Sequence, residues 1–160
     1  MRVEFYRNDE ARVSSWDAFL GKRSHVPGAT MALGRGLISH DLAQYVIEAT
    51  TGYEHGFWGL LAAGATFKST GRRRTKPGRG VIATHRQELL ASEQLAGLHL
   101  DAWQRGQVTP VTACLTLASQ QFQALRPNER LAFTWPSSSG QVFATSGGPG
   151  GKRGGRYAAA

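Results

Sequence analysis

Cysteine is all but missing from this chain: one residue, Cys114, stands among 160. No internal disulfide can form, so a small fold stapled by bridges is excluded, and thiol usage fits a reducing cytoplasm. Long apolar runs are missing too, with no stretch of about 18 such residues. The opening MRVEFYRNDE is charged and strand-patterned rather than a basic stub before an apolar segment. The expectation is a protein that neither spans a membrane nor carries an ordinary secretion signal. Also lacking are a glycine-rich phosphate loop, a CxxC pair and the HExxH, GxSxG and Walker patterns, which removes the standard enzyme templates.

Acids are scarce, 11 against 19 Lys and Arg, giving a formal charge of +8. The excess is local. Lys68, Arg72, Arg73, Arg74, Lys76 and Arg79 fall within twelve residues that hold no acid, and Lys152, Arg153 and Arg156 lie in the last nine. Setting those nine cations aside takes the net +8 to −1 for the remainder. An evenly basic surface is therefore not expected, whereas a local anion contact is.

With 41% hydrophobic residues the chain can fill one ordinary core. Residues 3–7 and 12–19 carry β-branched and aromatic residues around the polar turn Asn8-Asp9-Glu10, the pattern of a hairpin or two neighbouring strands. ATMAL after Pro27-Gly28 reads as a further short strand. Ser39 stands at a helix N-cap position, Asp41 in the first turn, and Leu42, Tyr45, Val46 and Ala49 recur at helical spacing until Gly52 closes the element. A short helix is expected from Gly56. A basic loop then runs to Pro77-Gly78, and one long helix covers 81–105, with Ile82, Leu89, Ala96 and Trp103 seven residues apart. Pro110 opens a helix to Leu125 that holds Cys114 as a packing residue. LAFTW at 131–135 and QVFAT at 141–145 read as a closing hairpin. Strands first, helices in the middle and strands last predict an α+β fold: a small antiparallel sheet from N- and C-terminal strands packed against three or four helices. Residues 1–146 form its single domain, and 147–160, rich in Gly and Arg, are expected to be a disordered tail.

Chemistry-bearing residues concentrate on the first helix. His40, Gln44 and Glu48 stack at i, i+4 and i+8, with Asp41 placed to orient His40. His40, Asp41 and Glu48 are thus the candidates for acid/base catalysis. His85 and Glu88 at i, i+3 add two more possible ligands, so His40, Glu48, His85 and Glu88 would hold a divalent metal if the two helices cross. The plainer reading makes His40 a first-turn polar residue, Glu48 solvated or salt-bridged, and His85 and His99 satisfied histidines at the core edge. Gly56-Phe57-Trp58-Gly59 reads as packing, the glycines allowing close backbone approach while both rings fill the core.

HDLAQYVIE at 40–48 and GFWGLLAAGATF at 56–67, followed by RRRTKPGR and the helix with HRQEL, resemble a group of small bacterial proteins, mostly from high-GC organisms, patterned HDLxHxxxE and then GFWGxxAxG. The resemblance covers about residues 36–105 and brings no established activity with it. Where that pattern has a second histidine this chain has Gln44, so the resemblance implies a lesser metal role here.

Two readings follow. In the first, a non-enzymatic cytoplasmic module with no cofactor docks a nucleic acid or an acidic protein through Arg72, Arg73, Arg74, Lys76 and Arg79, aided by the tail. In the second, a small metal-assisted or acid/base enzyme works through the cluster on the first helix. A third, an assembly subunit using GFWG and the apolar helix faces, needs a large exposed apolar patch.

Overall fold

Alternation builds the sheet. In β1 (Arg2–Asn8) Val3 and Phe5 point inward while Arg2, Glu4 and Tyr6 face out, and β2 (Val13–Phe19) turns Ser14, Trp16 and Ala18 the same way. A computed structural model of the chain describes residues 1–8, 12–21, 24–33, 38–71, 73–136 and 145–146. Residues 9 and 10 of the expected Asn8-Asp9-Glu10 turn and the tail at 147–160 lie outside them, as does most of the expected QVFAT strand.

The two strands pair antiparallel as the predicted hairpin. β5 (Leu131–Thr134) pairs antiparallel with the other edge of β1, and β6 (Thr145–Ser146) adds to β5. β3 (His25–Pro27) lies beside β2, giving the order β3-β2-β1-β5-β6, and β4 (Met31–Ala32) also pairs with β2. The strand expected at ATMAL is thus reduced to two residues, and the chain regains β2 earlier, at His25–Pro27. The register sets rows across the inner face: Ala18, Val3 and Phe133 in one, Trp16, Phe5 and Leu131 in the next. On the outer face Arg130 bridges Asp17 at 2.6 Å and Glu4 at 3.4 Å, and His25 meets Asp17 at 2.7 Å.

Helices cover the inner face. α1 (His40–Thr51) begins at Ser39, whose hydroxyl accepts the Leu42 amide at 3.3 Å, and stops at Gly52 in the left-handed conformation, φ 69°. Both caps are those the sequence predicts. α2 (Phe57–Ala62) follows, then a 3-10 turn at Lys68–Thr70. Trp16, Trp58, Tyr45, Phe5 and Phe133 interlock edge to face or tilted beneath them, with Phe5 and Trp58 fully buried.

The expected single helix over 81–105 is two helices, α3 (Lys76–Thr84) and α4 (Arg86–Gln104), separated at His85. α3 starts inside what reads as loop because the Thr75 hydroxyl accepts the Gly78 amide at 3.1 Å and Pro77 presets the first turn. At its other end His85, with φ −111° and ψ 24°, ends one helix and caps the next. α5 (Thr112–Gln123) lies against α1 and β1, with half-buried Cys114 packed on the core. The described residues thus hold five α-helices where three or four are expected. None of the helices they form is long and apolar enough to cross a membrane.

Two glycines make opposite predictions. A Cβ on buried Gly59 would overlap the Glu54 carbonyl oxygen, which is backbone and cannot swing away, whereas one on exposed Gly97 in α4 meets nothing within 4 Å. Gly59→Ala should lower the unfolding free energy by about 3 kcal/mol, and Gly97→Ala should raise it by roughly 0.5–1 kcal/mol. Urea denaturation of the two variants checks both signs.

Candidate functional site

Three polar groups on the inward face of α1 are each tied to a different part of the fold. Asp41 accepts a 2.8 Å hydrogen bond from the Trp16 indole on β2, and the Tyr45 hydroxyl donates to the Thr134 carbonyl on β5 at 3.1 Å. Glu48 completes the row. It is only 1% exposed, and its carboxylate accepts four hydrogen bonds: Gln44 Nε2 at 2.9 Å, the Phe57 amide at 2.9 Å, the Trp58 amide at 3.0 Å and the Ser92 hydroxyl at 2.8 Å.

Glu48 is therefore neither solvated nor salt-bridged, as its ordinary reading would have it. Its side chain satisfies two amides at the start of α2, which Gly56 cannot cap with a side chain of its own. The hydroxyl from α4 makes it a joint between three helices. Burial pushes the carboxyl above the usual carboxylate range, while the bonds from Ser92, Trp58, Gln44 and Phe57 pull the other way. Gly56 is glycine because a Cβ there would overlap both the Glu48 carboxyl and the Ser92 hydroxyl.

Gln44 and Glu48 follow the predicted column, one turn apart and hydrogen-bonded, but His40 at its head is exposed. There the hydrogen bond to Asp41 raises the His40 pKa, partial burial opposes it, and the charges of Asp41 and Glu93 add to the rise. Among the described residues, His85 and Glu88 are the only two of the four proposed ligands in a group able to share an ion, and their third member is His55.

His55 lies in the turn between α1 and α2, His85 at the break between α3 and α4, and Glu88 in the first turn of α4. Both histidines aim Nδ1 at one oxygen of Glu88, His55 at 3.2 Å and His85 at 2.5 Å. Their rings stack with centroids 3.9 Å apart and planes 24° from parallel. The bond from His85 holds Glu88 below the usual carboxylate range, and the charges of His55 and His85 add to that. A cleft of about 300 Å³ opens beside them, lined by Gly52, Tyr53, Glu54, His55 and Glu88. No local signal marks His55: it reaches Glu88 because Glu48 binds Ser92, one helical turn beyond Glu88, and holds Gly56-Phe57 against α4.

The basic segment sits at the opposite end of α3. Lys68, Arg73, Arg74, Lys76 and Arg79 are all exposed, and none forms an ion pair among the described residues; Arg72 lies outside those residues. The segment is anchored, since the Thr75 amide donates to the Thr66 hydroxyl at 3.1 Å and the Thr66 amide to the Gly78 carbonyl at 3.4 Å.

No family model, curated protein or solved structure matches this chain.

Removing the Glu48 carboxylate strands four buried donors. Glu48→Ala should cost roughly 3 kcal/mol or more, measured by denaturation at neutral pH. The folded-state pKa is raised above the unfolded one, so the ionisable part of the Glu48 contribution is complete below the unfolded value. It is then lost as pH rises through the shifted one. The stability gap between wild type and Glu48→Gln should accordingly shrink with rising pH across that interval.

Proposed function

We propose that the chain is a non-enzymatic module that binds an anionic partner through the basic segment 68–79. One observation carries the reading: Lys68, Arg73, Arg74, Lys76 and Arg79 stand exposed with no ion-pair partner among the described residues. Such cations attract a polyanion by releasing its condensed counterions, with little dependence on sequence. Arginine forks match phosphate and carboxylate oxygens alike two bonds at a time, so a nucleic acid and an acidic protein surface both fit the segment. The Thr66 anchors support the reading further, because a segment held in place loses less entropy on binding.

The second reading draws less support. Of the acid/base candidates on α1, Glu48 is enclosed by four donors, Asp41 accepts from Trp16, and His40 faces solvent. The proposal includes a cytoplasmic location, a compartment that free, half-buried Cys114 suits.

Fluorescence anisotropy with a labelled single-stranded oligonucleotide at rising salt tests the docking. The slope of log affinity against log salt should be negative, and should flatten by about 0.7 for each cation removed in the series Arg73→Ala, Arg74→Ala, Lys76→Ala and Arg79→Ala. An acidic peptide that competes better than the oligonucleotide would move the partner to protein. Affinity that ignores salt and all four substitutions contradicts the reading.

A further inference from the structure

We propose that His55, His85 and Glu88 bind a single divalent transition-metal ion of the zinc class, leaving its fourth coordination position open to the cleft. The site differs from the set expected on the first helix, and it stands independently of anion docking at the other end of α3.

Three observations carry it. The ligand atoms of the three residues lie within 4.8 Å of one another, close enough for one ion to draw them together by small side-chain movements. Both imidazoles present the same nitrogen, Nδ1, to the same point, where one carboxylate oxygen now gathers them. The third is access, since His55 and Glu88 line an open cleft of about 300 Å³. Tetrahedral bonds of about 2.0–2.1 Å set ligand atoms roughly 3.3 Å apart. The His55 to Glu88 separation of 3.2 Å already meets that spacing, and the 2.5 Å contact from His85 opens to it by a small swing of the exposed Glu88 side chain.

The donor set selects the ion. Two neutral imidazoles and one carboxylate suit Zn2+ and its neighbours, whereas Mg2+ and Ca2+ require oxygen donors. Three protein ligands beside an open cleft also form the arrangement that keeps a position for water or an incoming oxygen donor, unlike a closed structural site with four. The scaffold holds the three in place. Glu48 fixes the backbone at Phe57, two residues after His55, and binds Ser92 one turn beyond Glu88, while the break between α3 and α4 sets His85 opposite.

The test is a Zn2+ titration of the chelator-stripped full chain at about pH 7.5, read by competition with a chromogenic zinc indicator. One equivalent should bind with a dissociation constant of about 10 µM or tighter. His55→Ala, His85→Ala and Glu88→Gln should each weaken binding by at least about tenfold, since even outer-shell partners contribute that much. His40→Ala and His99→Ala should leave it unchanged. Circular dichroism confirms that each variant folds, and in the wild type the Nδ1 15N resonances of His55 and His85 should shift together on Zn2+ addition. That second readout needs no substitution. The proposal is overturned if no equivalent binds, if affinity survives in the double variant lacking both histidines, or if the shifts fall on other imidazoles.

Discussion

The carboxylate of Glu48, buried where α1, α2 and α4 meet, is the constraint on which the surrounding structure depends. A carboxylate withdrawn from water carries a penalty of several kcal/mol unless donors replace its hydration. Here two backbone amides, one side-chain amide and one hydroxyl do so. The bonding is reciprocal, because α2 spans only six residues and could not persist alone in water. Its first two amides find their acceptor in another helix, and Gly56 and Gly59 follow from the closeness that this requires. Trp58 is thereby delivered to the middle of the aromatic core, against Phe5, Trp16 and Tyr45.

Much of the fold is legible in local chemistry. The N-terminal hairpin, the α1 caps at Ser39 and Gly52, and the packing role of Phe57 and Trp58 each follow from residue type and spacing, and the structure has them. The helix count is less legible. Heptad spacing from Ile82 to Trp103 continues across His85, so periodicity alone does not register the helix break there, and the Thr75 cap hides within a run of arginines. Glu48 and His55 are illegible for a different reason. Glu48 has the composition of a solvated helix residue, and its burial depends on Ser92, forty-four positions away. His55 has no spacing relation to His85 or Glu88 that a helix or strand period could reveal.

The resulting layout gives two unlike surfaces to the ends of one short helix. α3 spans nine residues, about 13 Å at 1.5 Å per residue. Its start carries the exposed cations of the basic segment, and its end reaches the imidazole and carboxylate groups beside the cleft. One surface follows from uncompensated charge, which the sequence displays openly. The other follows from the Glu48 joint, which sets the turn after α1 against α4.

Native-state hydrogen exchange at the Phe57 and Trp58 amides tests that joint most directly. If the Glu48 carboxylate holds the start of α2 in place, both amides should exchange only through global unfolding, with the same free energy as the most protected amides of α1. Rapid exchange of these two amides while α1 stays protected would show that α2 opens on its own, and would contradict the account.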